Sequence, residues 1–283
     1  MARSFERKLE KSLIDRLKNS DLWKIHLKED CIKQNIFLTV RNNDIGFYHK
    51  GGNLFCFDEN EFKTHIKYAS VIEDTKKAYL TENQLESMKL ICNFQGNYTR
   101  IKENCSLYSG IEAQGVSEIY HKYSYLSNEK VVVLDIEVSF EALDKTGGKT
   151  QDRIDILLYD KEKQTLQFVE AKHYSNSEIW SKTTPKVISQ IEKYEKQIEK
   201  NKDNIKKAYT NYIEAINAVF DLSLRLPQKV EDKVLLLIFG FDADQKNGRL
   251  QKLILKNPVY KGIQVYCKQE KINPKTLLSS KRL

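Results

Sequence analysis

Apolar residues recur at helical spacing near the start of the chain and at strand spacing soon afterwards. They occupy every fourth position from 5 to 17, which predicts an amphipathic helix over residues 3–18. Three short runs rich in β-branched and aromatic residues follow at 36–40, 44–49 and 53–58, separated by Asn- and Gly-rich turns. This pattern predicts a β-meander. Beyond it the patterning is weak, and the next change of character comes near Gly110.

The second half of the chain has a clearer order of predicted elements. A helix is predicted at 117–126 with Ser117 as its N-cap, and a long helix follows Pro185 with a break near Asn201. The predicted strands are 131–141, 153–160, 165–174, 234–241 and 262–267, and further helices are predicted at 81–92 and 244–256. This order predicts an α/β (α+β) fold with a mixed central sheet flanked by helices. We therefore divide the chain into an N-terminal α+β region, 1–110, and a second domain, 111–283.

Three charged residues interrupt two of the apolar strands. Asp155 lies between two isoleucines, and Glu170 and Lys172 are two residues apart, so they share one face of their strand. Taken singly, each would be explained by a salt bridge or a solvated strand face. Taken together on neighbouring strands, they predict a compact cluster of two acids and one base, because buried charges are normally paired or bound to metal. Carboxylate oxygens are the ligands that Mg²⁺ and Mn²⁺ prefer.

The motif Asp155…Glu170-Ala171-Lys172, on a strand–loop–strand unit followed by a helix, resembles the PD-(D/E)XK nuclease superfamily. Ile154 stands where the Pro of the motif's name would be. The resemblance implies a restriction-endonuclease-like core. It also implies that Asp155, Glu170 and the backbone carbonyl of Ala171 coordinate Mg²⁺ or Mn²⁺. Lys172 would then orient the attacking water and stabilise the charge of the transition state.

The resemblance covers about residues 115–267 and suggests further site residues. Gln190 and Tyr194 are similar to the Q-x-x-x-Y element of the RecB- and Cas4-like branch, and residues four apart share a helix face. An ordinary helix residue and a core aromatic would fit them equally well. The family often has another acid in the helix before the sheet, which implies Glu118 as a metal ligand. Glu137 competes for this role, although its strand face, which includes Asp135, could equally face solvent.

Composition adds three constraints. Lys and Arg number 47 against 39 Asp and Glu, which gives a formal charge of +8 and makes a polyanion a plausible partner. The five cysteines are scattered without a C-x-x-C pair, which argues against a disulfide framework and favours a reducing, cytoplasmic location. No apolar run approaches the roughly 18 residues of a membrane span. Serine hydrolase, zinc protease and P-loop motifs are absent from the sequence.

These features predict a Mg²⁺- or Mn²⁺-dependent nuclease that hydrolyses phosphodiester bonds, with double-stranded DNA as the expected partner. Endo- and exonuclease action both remain open, as does a homodimer. The alternatives are a catalytically inactive nuclease fold that binds nucleic acid or acts as a scaffold, and a nuclease directed at RNA. The aromatic residues of the N-terminal meander are a candidate target-recognition surface, although they would fit the core of a small sheet equally well.

Overall fold

The N-terminal meander forms because short turns adopt backbone conformations that reverse the chain. A computed structural model describes residues 5–58, 61–71, 81, 83, 86, 89–140, 153–268 and 272–279. Between the second and third strands Lys50 and Gly51 both have positive φ, 45° and 88°, as a tight two-residue hairpin requires. The antiparallel sheet runs in sequence order through β1 (Phe37–Arg41), β2 (Asp44–His49), β3 (Gly52–Asp58) and β4 (Glu61–Lys63). The predicted meander is confirmed, with a fourth strand added.

The first helix is shorter than its apolar spacing predicts. Helix α1 spans Lys11–Asn19, whereas the prediction began at residue 3. The residues before it are held by tertiary contacts instead. The Phe5 ring lies 5.6 Å from that of Phe140, and the Nε atom of Arg7 lies 3.4 Å from a carboxylate oxygen of Asp135. Residues 5–10 are irregular in structure. The tertiary contacts of Phe5 and Arg7 therefore outweigh the helical spacing of the apolar residues in this segment.

Short elements surround the meander. A π-helical segment, Trp23–Leu27, leads into α2 (Lys28–Ile32), and α3 (Ile66–Ala69) precedes α4 (Tyr98–Leu107). Two short strands, β5 (Ser70–Val71) and β6 (Lys89–Leu90), pair with each other. Of the helix predicted at 81–92, the described residues Asn83 and Glu86 are helical, whereas Lys89–Leu90 is strand β6, and five of the twelve residues lie outside the described ones. The sequence pattern did not predict α4.

The second half folds around a mixed sheet, as predicted. The strands are β7 (Val131–Ser139), β8 (Arg153–Asp160), β9 (Thr165–His173), β10 (Lys229–Val230), β11 (Leu235–Phe239) and β12 (Gln264–Lys268). Their order in the sheet is β12-β11-β9-β8-β7, with β10 beside β9. Strands β7, β8 and β9 pair antiparallel, whereas β11 runs parallel to both β9 and β12. Strand β11 is buried along its whole length, which accounts for its apolar sequence.

Helices flank this sheet. Helix α5 spans Ile111–Lys122, and α6 spans Lys186–Phe220 with non-helical dihedral angles at Asn201, where the break was predicted. Short 3₁₀ turns lie at Ser177–Ile179 and Pro258–Tyr260. A helical segment covers Ala243–Leu255 and begins with the short α-helix α7 (Ala243–Gln245). Helix α8 spans Pro274–Ser279. In the part of the chain that the structure describes, no helix is long and apolar enough to cross a membrane.

The start of α5 differs from the prediction. The helix begins six residues before Ser117, after Gly110 as its N-cap. Ser117 is buried within the helix, and its hydroxyl donates to the carbonyl of Gln114 at 2.6 Å, so it does not cap the helix. Hydroxyl side chains favour both caps and such local bonds to the preceding turn, and the sequence alone does not separate the two.

Buried charges join the N-terminal sheet to the central sheet. Asp135 is completely buried, which excludes the solvent-facing alternative for this residue. A bulge in β7 lies next to it. Arg41 at the end of β1 donates to both carboxylate oxygens of Asp135, at 2.8 and 3.1 Å, and the hydroxyl of Tyr209 on α6 donates at 2.9 Å. The buried apolar side chains of the two regions also form one continuous cluster. The division at residue 110 stays a prediction.

A glycine sets how closely α5 approaches the sheet. A Cβ atom at Gly115 would lie 2.2 Å from the Phe239 ring, whereas one at Gly110 would meet nothing within 4 Å. We expect Gly115→Ala to lower the free energy of unfolding by about 1–2 kcal/mol, because overpacking outweighs the better helix propensity of alanine. Urea unfolding measures the change. Gly110→Ala at the N-cap of the same helix is the control for a glycine with open space around it, and it should lose only the smaller capping preference of glycine over alanine. Equal stability of the two variants would contradict the close approach.

His121 makes the attachment of α5 sensitive to pH. Its Nε2 atom accepts a hydrogen bond from the amide of Lys50 at 3.3 Å, and burial lowers its pKa to about 3 from the ordinary 6.5, with further lowering from His49. As pH falls below 6.5, His121 becomes protonated in the unfolded chain but stays neutral in the folded chain. The free energy of unfolding therefore decreases between about pH 6.5 and 3.

We therefore expect His121→Gln to flatten the pH dependence of unfolding in that range, by up to about 1.4 kcal/mol per pH unit. Urea unfolding of the wild type and of the variant at a series of pH values provides the measurement. His65→Gln is the control, because His65 is exposed and lies at the N-cap of α3. Parallel stability curves for His121→Gln and the wild type would rule out this contribution.

Candidate active site

The pairing of β8 with β9 ends where the charged residues begin. The ladder runs from the pair Asp160–Thr165 to the pair Ile156–Val169. Asp155 and Glu170 are the next residues on their strands and share one face of the sheet. Instead of continuing the ladder, the amide of Ala171 donates to Oδ2 of Asp155 at 2.7 Å. The Asp155 carboxylate therefore replaces a backbone acceptor and is held beside the strand that carries Glu170.

Glu170 and Lys172 form a buried ion pair. Their side chains are 1% and 8% exposed, and the Lys172 ammonium lies 2.8 Å from Oε1 of Glu170. A second carboxylate, that of Glu178 in the 3₁₀ turn after β9, lies 3.3 Å from the same ammonium. The other oxygen of Glu170, Oε2, is buried with no hydrogen-bond partner among the described residues. A buried carboxylate oxygen in this state is costly unless a cation or water satisfies it.

The electrostatics of the cluster follow from burial and from the closeness of its charges. Burial raises the pKa of Asp155 well above its usual value, and the Glu170 carboxylate raises it further. Burial also raises the pKa of Glu170 to about 7, against the opposing effect of Lys172. Burial alone would lower the pKa of Lys172, but Glu170 and Asp155 raise it above that of a free lysine. Lys172 is therefore held as an ammonium, which donates hydrogen bonds and does not accept a proton.

A fourth charged residue, Glu112, joins this cluster from α5. Its Oε2 atom accepts hydrogen bonds from the amide of His173 at 2.9 Å and from the side-chain amide of Asn176 at 3.0 Å. Its charge raises the pKa of both Asp155 and Glu170. Glu112 was missed because the helix had been predicted to begin at residue 117. The available signal was the pair Ser109-Gly110, which marks a helix start just before Glu112.

The structure does not bring Glu118 to the cluster. Glu118 follows Glu112 by six residues, so it lies about 120° around the helix from Glu112. Its side chain is exposed. Glu118 lines a different, open cavity of about 590 Å³ with Phe239 and His173. Glu112, and not Glu118, is therefore the acid of this helix that lies beside the cluster.

Glu137, the competing acid, faces a smaller cavity beside Asp155. This cavity has a volume of about 110 Å³ and is lined by Glu137, Asp155 and Glu112, together with Tyr48 and Gly51 of the N-terminal hairpin. Glu137 has a φ of 48°, which is rare for a residue with a side chain and unusual within a strand. Its carboxylate accepts a hydrogen bond from Arg153 at 2.9 Å.

Tyr194 and Gln190 lie on the helix that covers the same sheet face as Glu170. The buried Tyr194 ring lies 6.5 Å from that of Phe140, which in turn lies 5.4 Å from the Phe168 ring. Phe168 is two residues before Glu170 and shares its strand face. One turn earlier on α6, Oε1 of Gln190 is buried without a hydrogen-bond partner in the described part of the chain. The role of this pair toward Lys172 stays a prediction.

The donor set fits a divalent cation that keeps most of its water ligands. Asp155 and Glu170 supply hard carboxylate oxygens on adjoining strands, and one Glu170 oxygen lacks a protein partner. Among the residues that the structure describes, no group of three or more His, Cys, Asp or Glu side chains is arranged to hold a metal ion. Mg²⁺ is commonly bound through one or two carboxylates and several waters, so two carboxylates are sufficient. Coordination by the Ala171 carbonyl stays a prediction.

Comparisons of the chain with family models, with curated proteins and with solved structures find no match in any of the three. The chemistry of the site is therefore inferred from the residues of this chain.

The buried ion pair gives a test of the site that does not depend on activity. We expect Lys172→Met to lower the free energy of unfolding by about 3 kcal/mol, because it leaves the Glu170 carboxylate buried without its partner. The double variant Glu170→Gln, Lys172→Met should recover most of this loss, since no unpaired charge remains. Chemical unfolding at neutral pH measures both. Lys196→Met on the exposed side of α6 is the control, and a double variant less stable than Lys172→Met would contradict the pairing.

Proposed function

We propose that this protein is a metal-dependent nuclease that hydrolyses phosphodiester bonds, with DNA as the favoured substrate. The observation that carries the proposal is the convergence of Asp155 and Glu170, with Lys172 beside them, where two strands of a buried sheet part. The order of the surrounding elements, α5-β7-β8-β9-α6-β11, agrees with the α-β-β-β-α-β order expected for a restriction-endonuclease-like core. The resemblance of the motif Asp155…Glu170-Ala171-Lys172 to PD-(D/E)XK nucleases supports the same conclusion.

Asp155 and Glu170 would hold a Mg²⁺ or Mn²⁺ ion. When bound, such an ion lowers the pKa of a water ligand and neutralises charge on phosphate oxygens. Burial, and after it the neighbouring carboxylates, raises the pKa of both carboxyl groups. Added positive charge would favour the ionised form of both, and the orphaned Oε2 of Glu170 would gain a partner.

Lys172 would stabilise charge rather than act as a base. Its raised pKa keeps it protonated at neutral pH, with Glu170 and Glu178 fixing the ammonium from two sides. An ammonium held in this way can donate to a phosphate oxygen or to the attacking water as negative charge develops. Glu112 would act indirectly, since it binds the amide of His173 and thereby fixes the backbone that follows Lys172.

We expect Asp155→Asn, Glu170→Gln and Lys172→Met each to reduce Mg²⁺- or Mn²⁺-dependent cleavage at least about 100-fold, because each removes a charge on which the transition state depends. Cleavage of matched DNA and RNA substrates of one sequence measures the effect and distinguishes the two targets. Glu162→Gln and Lys163→Met, in the exposed loop between β8 and β9, are the matched controls.

Two outcomes would separate this proposal from its alternative. Wild-type cleavage rates in the three site variants would show that these residues are not catalytic. Nucleic-acid binding without cleavage, together with no Mn²⁺ binding by calorimetry, would instead favour a binding or scaffold protein that has this fold without the chemistry.

A further inference from the structure

An arginine of the N-terminal sheet binds strand β7 next to the candidate site. Arg41, the last residue of β1, uses both terminal nitrogens of its guanidinium. Nη1 donates to Asp135, and Nη2 donates to the backbone carbonyl of Ile136 at 2.8 Å. The amide of Ile136 is also held, because it donates to Oδ1 of Asp135 at 2.9 Å. The amide and the carbonyl of Ile136 are therefore both hydrogen-bonded, one to Asp135 and the other to Arg41 of the N-terminal sheet.

The residue that follows this network is Glu137, which has the positive φ. A left-handed residue within a strand is strained and persists only where its surroundings hold it. The hydrogen bonds of Ile136, from its carbonyl to Arg41 and from its amide to Asp135, restrain the backbone just before Glu137 in this way. The pairs Ile136–Ile156 and Val138–Ile154 on either side place Glu137 level with Asp155 on the neighbouring strand.

The result is a cavity whose walls come from both halves of the chain. Glu137 and Asp155 of the central sheet line it together with Glu112 of α5, and the N-terminal hairpin closes it with Tyr48 and Gly51. Gly51 is tightly seated, since a Cβ atom there would lie 2.7 Å from the backbone of Ala113 on α5. The N-terminal sheet therefore adjoins the carboxylate that is proposed to hold the metal.

We propose that Arg41 is a positioning residue of the candidate active site. Through Asp135 and Ile136 it fixes the β7 backbone so that Glu137 enters the cavity of Asp155. The N-terminal sheet is thereby part of the catalytic unit and not a separate recognition module. This inference rests on the proposed nuclease function. Glu137 adds a negative charge beside Asp155 and pairs with Arg153, two residues away from Asp155 on the same strand.

A double-mutant cycle tests this. In otherwise wild-type protein we expect Arg41→Gln to reduce kcat about 10- to 100-fold. The reason is that a shift of Glu137 by about 1 Å is enough for such a loss. Glu137→Gln should reduce it comparably. In the Glu137→Gln background, Arg41→Gln should change kcat by no more than about twofold, since its effect passes through Glu137. Calorimetric titration with Mn²⁺ should show weaker binding in both single variants.

Two further variants separate positioning from stability. Arg7→Gln removes another contact to Asp135 but none to the β7 backbone, so it should lower the melting temperature without changing Mn²⁺ affinity. Arg41→Lys keeps a positive charge for Asp135 and should fold, but an ammonium does not bind Asp135 and the Ile136 carbonyl with the fork geometry of a guanidinium. It should therefore still lose Mn²⁺ affinity.

The outcomes distinguish this inference from the proposed function. If wild-type protein binds Mn²⁺ and cleaves DNA, but the losses from Arg41→Gln and Glu137→Gln multiply, or Glu137→Gln has no effect, then the positioning role is wrong and the nuclease function stands. If Arg7→Gln weakens Mn²⁺ binding as much as Arg41→Lys does, the network is only structural. If wild-type protein neither binds Mn²⁺ nor cleaves nucleic acid, both proposals are wrong.

Discussion

A charge placed inside an apolar sheet must find a partner, and this constraint organises the structure around two places. At the first, Asp135 is completely buried and is satisfied by Arg41, Arg7 and Tyr209, which come from three separate parts of the chain. At the second, Glu170 is satisfied on one oxygen by Lys172, while its other oxygen has no hydrogen-bond partner in the described part of the chain. The Asp135 carboxylate, with partners for its oxygens, connects three parts of the structure. The Glu170 carboxylate, with one oxygen lacking a hydrogen-bond partner among the described residues, can accept a ligand.

The two places differ in what surrounds them. Around Asp135 there are two guanidinium groups and a hydroxyl, so the carboxylate is paired without any further ligand. Around Glu170 the nearby carboxylates Asp155, Glu112 and Glu178 outnumber the single ammonium of Lys172. An excess of negative charge in a buried setting opposes ionisation and lowers stability, and both effects are reversed by a bound cation. Such a balance is common where stability is given up for function.

The N-terminal region is connected to this site by polar bonds and by shared core packing. Phe5 packs on Phe140 and Tyr209 of the second half, and the β2–β3 hairpin lies against α5. The aromatic residues of the meander are mostly buried, Phe47 and Phe55 completely, so these rings form a core and are not available for stacking on bases. Structural support of the β7 backbone is the role that the contacts of this region favour.

Elements with a local pattern could be predicted from the amino-acid sequence. Alternation and turn chemistry predicted the meander, the β8–β9 hairpin and the mixed sheet, and the break at Asn201 was visible in the helical pattern. It also singled out Asp155, Glu170 and Lys172, because charges in apolar strands are conspicuous. Which helical acid reaches the cluster, the burial of Asp135 and the entry of Glu137 into a cavity became visible only in the folded structure. The left-handed backbone at Glu137 and the partners of Asp135 depend on residues distant in sequence, such as Arg41 and Tyr209, so no local pattern encodes them.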